Sequence, residues 1–172
     1  MYETTPKRTN KAASYTSTIL FITAFAAMMF SGISWVPYPS IMQLAAIVAL
    51  GFAIMLLIRY TLTSYIYSII ITDDGKYDLT VTEARRKSHI TVCRVSLSGI
   101  EKTEIINAEN KKELKAQIKG RKVFNYCIDL APAKFLCIFG EECGEKYAIK
   151  LSCDDGLEDI ISRYSSCEGK TK

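Results

Sequence analysis

From Ala12 to Ile58 the sequence has no Asp, Glu, Lys, Arg or His. About a quarter of the residues of an ordinary soluble chain are charged. A run of this length without any excludes a water-facing surface. Histidine is nearly missing too: His89 stands alone, and the bland reading is a surface or structural residue. No cysteine precedes Cys93, and Cys93, Cys127, Cys137, Cys143, Cys153 and Cys167 form no C-x-x-C pair. Zinc sites favour closely spaced Cys and His ligands, so no metal and no cofactor is expected. Cys93, Cys127 and Cys137 lie in apolar strand patterns, where free cysteine acts as a small hydrophobe; reduced thiols are expected. Also lacking are a Gly-rich phosphate loop, G-x-S-x-G and H-E-x-x-H. The adjacent carboxylates Asp73-Asp74, Glu141-Glu142 and Asp154-Asp155 occupy turn or cap positions that explain them. No enzyme is expected. The net charge of +4 is too mild and too dispersed for a nucleic-acid footprint.

What the uncharged run does contain is apolar. A bilayer-spanning helix needs about 20 such residues, and the run has room for two. Pro37 and Pro39 punctuate it within Trp35-Val36-Pro37-Tyr38-Pro39-Ser40, a turn signal. The expectation is a helical hairpin, one span running from about Tyr15 to Val36 and the other from Ser40 to Ile58 or slightly beyond. A signal peptide is rejected: the apolar stretch is too long and a second span follows directly. Small residues recur at every fourth position, as Thr23, Ala27, Ser31 and as Ala45, Ala49, Ala53. Such ridges let membrane helices approach closely, packing the hairpin on itself or joining a homodimer. No ionisable group lies inside either span, so nothing marks a transport pathway.

The flanking charges orient the hairpin. Lys7, Arg8 and Lys11 precede it, Arg59 follows it, and the turn carries none. Under the positive-inside rule both termini are cytoplasmic in a multi-pass protein of the cell membrane. Trp35 and Tyr38 suit an outer aromatic belt, Tyr15 and Tyr60 an inner one.

The expected organisation is a disordered cytoplasmic tail (1–11), the hairpin (12–63), a soluble domain (64–166) and a short tail (167–172). Tyr65–Thr72 reads as a strand, followed by the turn Asp73-Asp74-Gly75-Lys76. Tyr77–Ala84 and His89–Leu97 read as a hairpin with Arg85-Arg86-Lys87-Ser88 at its tip. Ile100–Ile106 is a further strand. Asn107–Lys122 is polar, a short helix or a loop. Phe124, Tyr126, Ile128 and Leu130 alternate; so do Phe135, Cys137 and Phe139, and then Tyr147, Ile149 and Leu151. A helix ends the domain, with Asp155 as N-cap, Glu158 completing a capping box, and Leu157, Ile160, Ile161 and Tyr164 on one stripe.

About seven alternating strands and a C-terminal amphipathic helix follow the order of a pleckstrin-homology (PH)-like barrel. The fold class is thus a membrane α-helical hairpin plus a mainly-β PH-like barrel with a C-terminal capping helix. The chain resembles a group of small bacterial membrane proteins that join a two-helix hairpin to a PH-like domain. The similar stretches are Ile71-Thr72-Asp73-Asp74-Gly75 with Leu79-Thr80-Val81-Thr82, then Val95-Ser96-Leu97-Ser98-Gly99-Ile100, Phe135-Leu136-Cys137-Ile138-Phe139, and the capped helix from Asp155. The resemblance implies antiparallel strands and a membrane context, and no enzyme activity. PH domains that bind phosphoinositides carry basic residues in the loop joining the first two strands. Here that loop is acidic on balance, which argues against inositol-phosphate recognition.

Two basic clusters are the candidate sites for lipid or partner. Arg85, Arg86 and Lys87 form the hairpin tip. Lys111, Lys112, Lys115, Lys119, Arg121 and Lys122 form the long polar segment, which is expected to lie against membrane lipids of the anionic leaflet. The functional expectation is a membrane-anchored, non-enzymatic binding or scaffolding protein. The alternative is an accessory subunit that binds another membrane protein through the hairpin or a strand edge.

Overall fold

The computed structural model describes residues 2–33, 38–142, 144–153 and 156–168, without the side chains of 162 and 164–168. The chain forms two compact units. One is the segment Asn10–Thr63; the other joins Met1–Thr9 to Ser64–Lys172.

The helical unit holds α1 (Ala12–Phe30) and α2 (Pro39–Leu57), the second continued by a π-helical turn over Ile58–Leu62. Both helices are long and apolar enough to cross a membrane. Pro39 sits in the first turn of α2, where its missing N–H costs nothing. Tyr38 before it is left-handed, with φ 58°. Residues 34–37, where the turn and Trp35 were expected, lie outside the described residues.

The two helices meet along a seam spaced alternately four and three residues apart, the spacing of coiled-coil packing. On α1 it runs through Ala13, Ser17, Leu20, Ala24, Ala27 and Ser31; on α2 through Met42, Ala46, Ala49, Ala53, Leu56 and Tyr60, all buried or half-buried. Small residues do form the contact, but a strict four-residue ridge drifts off a helix face. Thr23 and Ala45, expected on the ridges, therefore face outward, and Ala24 and Ala46 take their places.

The other unit begins with a correction. The first residues, expected to be a disordered tail, form β1 (Tyr2–Thr4), which pairs antiparallel with β2 (Ser64–Ile71). Tyr2 lies opposite Ile69, and Thr4 opposite Tyr67. The helical unit is thus inserted between two neighbouring strands of one sheet. With β3 (Tyr77–Arg85) and β4 (Ser88–Ser96), these strands make a four-stranded antiparallel sheet in the order β1-β2-β3-β4.

A 3-10 turn at Leu97–Gly99 leads to the second sheet. Its strands are β5 (Ile100–Ile106), β6 (Lys122–Tyr126), β7 (Phe135–Glu142) and β8 (Glu145–Ser152), in the order β5-β7-β8-β6. Hydrogen bonding leaves two separate four-stranded sheets, not the closed barrel expected. Nor is the pairing wholly antiparallel, because β6 runs parallel to β8. The cause is α3 (Lys111–Ile118), which settles the polar segment as a helix. It connects β5 at one edge to β6 at the other, and a crossover of that kind delivers its second strand parallel to the first. The alternation from Phe124 to Leu130 ends as a strand at Tyr126.

The crossover gives the second sheet two buried faces. Toward the first sheet point Leu136, Ile138, Tyr147, Ile149 and Leu151, which share one core with Tyr67, Ile69, Leu79, Val81, Leu157 and Ile161. The last two belong to α4 (Leu157–Glu168). On the opposite face Phe135, Cys137, Phe139 and Ala148 pack with Leu114 and Ile118 of α3. Asp155, expected as the N-cap of α4, and the side chain of Tyr164 lie outside the described residues.

Tyr67 ties the sheets together. Its hydroxyl donates to the Tyr126 carbonyl at 2.8 Å and accepts from the Ser152 amide at 3.1 Å. At the other end Gly140 leaves no room for a side chain: a Cβ there would lie 2.6 Å from the Gly99 carbonyl oxygen and would also strike the Tyr147 hydroxyl.

Candidate functional site

The β3–β4 tip forms as expected, with Arg85 paired across to Ser88 and Arg86 left-handed at φ 50°. Its three cations are not equivalent. Arg85 Nε is 2.6 Å from Glu83 Oε1, whereas Arg86 and Lys87 are exposed. A register shift between Val81 and Thr82 absorbs one extra residue of β4. Beyond it Ile90 and Val92 are exposed, at 62% and 37%. The tip is therefore basic and apolar at once. The register of β2 fixes its place in the fold, because Ser64, the first residue after the helical unit, lies opposite Ala84.

The second cluster divides as well. Arg121 Nη2 is 3.0 Å from Glu101 Oε2, and its guanidinium lies over the Phe139 ring, 5.4 Å from the centroid. Lys122 stands over Phe124 and 3.9 Å from Glu145. Both side chains are committed to β-sheet contacts. Lys111, Lys112, Lys115 and Lys119 are exposed on or just after α3. The tip belongs to the first sheet, whereas α3 packs on the second.

Two of those lysines line a cavity of about 220 Å³ beneath α3. Its polar lining is Lys111, Lys115, Asn125 and Lys150; its apolar lining includes Leu114, Ile118, Leu130, Pro132 and Phe135. Asn125 and Lys150 come from one cross-strand row on the α3 face of the sheet, Glu104–Cys137–Lys150–Asn125. Lys150 Nζ lies 5.6 Å from the centroid of Phe135. Burial pushes the neighbouring Cys137 thiol up to about 11, with Lys150 acting in the opposite direction. The reading of the basic segment alone missed Asn125 and Lys150. A lysine inside the apolar run Tyr147-Ala148-Ile149-Lys150-Leu151 was the available signal.

A third feature joins the N-terminal arm to the loop before β7. Asp129, buried at 7% exposure, accepts the Thr9 hydroxyl at 2.6 Å and the Thr9 amide at 3.2 Å.

Among the described residues Cys93, Cys127, Cys137 and Cys153 form no disulfide. Among the described residues no three His, Cys, Asp or Glu side chains converge as metal ligands. No family model, no curated protein and no solved structure matches the chain.

Proposed function

We propose that this chain is a membrane-anchored, non-enzymatic binding module whose PH-like soluble unit docks on the anionic leaflet beside its own anchor. In this reading α1 and α2 span the bilayer, and the soluble unit and both chain ends are cytoplasmic. Two sheets with a C-terminal helix in their shared core support the PH-like comparison. The carrying observation is the pairing of Ser64 with Ala84. It puts Arg86 and Lys87 at the same end of the first sheet as Ser64, the residue where the chain enters it. Exposed Ile90 and Val92 add the apolar side chains that interfacial contact uses. Each Lys or Arg held near an anionic leaflet contributes about 1 kcal/mol. A tethered domain needs no more than that to hold one orientation. This shifts the docking surface from the α3 segment to the β3–β4 tip.

Hydrogen exchange of the full chain in nanodiscs tests it. Amides of residues 85–92 should slow when phosphatidylglycerol replaces part of the phosphatidylcholine, and the double variant R86E/K87E should abolish the change. Equal exchange in both lipids overturns the reading. A reporter fused after residue 172 that appears outside the cell overturns the topology.

A second reading has its own observation. Among the described residues β4 has a ladder partner only in β3, and its other edge, where the Val92 carbonyl accepts the Tyr126 hydroxyl, is offered to strand addition by a membrane-protein partner. Co-purification of one stoichiometric partner that R86E/K87E retains and V92P loses supports it; loss of neither variant's partner, or no partner at all, counts against it.

A further inference from the structure

The cavity under α3 is chemically one-sided. Lys111, Lys115 and Lys150 line it, and no carboxylate does. Among the described residues none of these three lysines takes part in an ion pair. Lys111 and Lys115 are one helical turn apart on α3, so their ammonium groups reach the same rim. Lys150 rises from the sheet floor beside the Phe135 ring. Leu114 and Ile118 close the helix side with apolar surface. Ligand sites are recognised by an apolar lining with a few convergent polar groups, and this cavity has that form with one sign of charge. Its volume of about 220 Å³ is below the roughly 300–1,000 Å³ of drug-sized sites. An inorganic anion would leave the apolar walls bare, and a neutral apolar molecule would leave three cations without a counter-charge.

We infer that this cavity binds a small, soluble organic acid: one carboxylate on a compact apolar body. The carboxylate lies among Lys111, Lys115 and Lys150, and the body packs against Leu114, Ile118 and Phe135. The inference does not rest on leaflet docking, which uses the opposite sheet and different cations.

The test uses the full chain in phosphatidylcholine nanodiscs, with methyl-labelled Leu and Ile observed by NMR. The probe is 3-phenylpropionate, with 3-phenylpropanamide and inorganic phosphate as controls. Shifts should saturate at the methyls of Leu114, Ile118 and Leu130 with phenylpropionate alone. K150M keeps the side-chain stem beside Phe135 while removing the charge. It should weaken binding about tenfold or more, as loss of a charge-assisted contact does, with thermal stability unchanged. K76M, in the exposed turn between β2 and β3, should leave binding as it is. Equal binding of the amide, saturation by phosphate, or no saturable shift overturns the inference. So does the same methyl shift produced by anionic lipid without any probe, which would assign the cavity to a lipid headgroup. These outcomes are distinct from the exchange result at residues 85–92, so either proposal can fail alone.

Discussion

Tyr67 and Tyr147 are both buried phenols with opposite consequences. The Tyr67 hydroxyl satisfies two main-chain groups, one on Tyr126 and one on Ser152. Removing it orphans both, and a buried unsatisfied polar group costs about 1–3 kcal/mol. Among the described residues the buried Tyr147 hydroxyl meets no partner, so its removal relieves a desolvated group. Chemical denaturation should show Y67F less stable by about 1–3 kcal/mol and Y147F unchanged or slightly more stable. A loss of similar size in Y147F would mean that its hydroxyl has an acceptor. Burial of phenols also sets an alkaline limit. Burial raises Tyr126 and Tyr147 each to about 12, against about 10 in the unfolded chain. In that interval the folded state holds protons that the unfolded state has lost. Stability from these groups is therefore complete below about pH 10 and is lost as pH rises through about 12. Unfolding followed from pH 9 to 12 should show this decline, and a shallower one in Y147F. An equally steep fall in that variant would remove Tyr147 from the account.

At the scale of elements, the seam of the hairpin offers the sharpest contrast. Ala53 is fully buried against α1, while Ala45 faces outward. A53L inserts volume into a packed contact, which costs about 1–3 kcal/mol; A45L inserts it where nothing is packed. In mild detergent A53L should melt earlier and A45L should match the parent. Equal behaviour would mean that the seam lies elsewhere. Both helices and most strands were legible because absence of charge and two-residue alternation are local signals. The π-helical end of α2, the β6–β8 parallel pair and the cover provided by α3 were not. Those features depend on which strand lies next to which. One clue was available: Phe135-Leu136-Cys137-Ile138-Phe139 is apolar at every position. Such a run belongs to a strand buried on both faces, whereas alternate positions alone suggest one solvated face. Reading it so calls for a covering element, and the Leu114–Ile118 pair inside the basic segment fits that need. The lysines of the cavity were legible only as a charge run, since Lys150 joins Lys111 and Lys115 through the fold.

At the scale of the molecule, β1 and the Thr9–Asp129 contact make the first residues part of the β-sheet unit. Their division from the rest of that unit was invisible in the sequence, because three strand residues before a charged linker carry no usable pattern. Deleting residues 2–4 from the full chain uncovers the edge of β2, and Tyr2 leaves the rim of the core. The melting transition should fall by an amount equivalent to about 0.5–3 kcal/mol, with faster exchange in β2. Parent-like melting would show that β1 contributes no stability.

The insertion of the helices between β1 and β2 also imposes an order on synthesis. β1 leaves the ribosome before both helices and waits for β2 while they are made. If α1 and α2 span a bilayer as proposed, β2 reaches β1 only when the second helix brings the chain back to the side it left. In the membrane reading, a chain that fails to return strands β2 on the wrong side and leaves the sheet open at that edge. In that reading, closure of one short β pair records correct insertion through the protein's own folding.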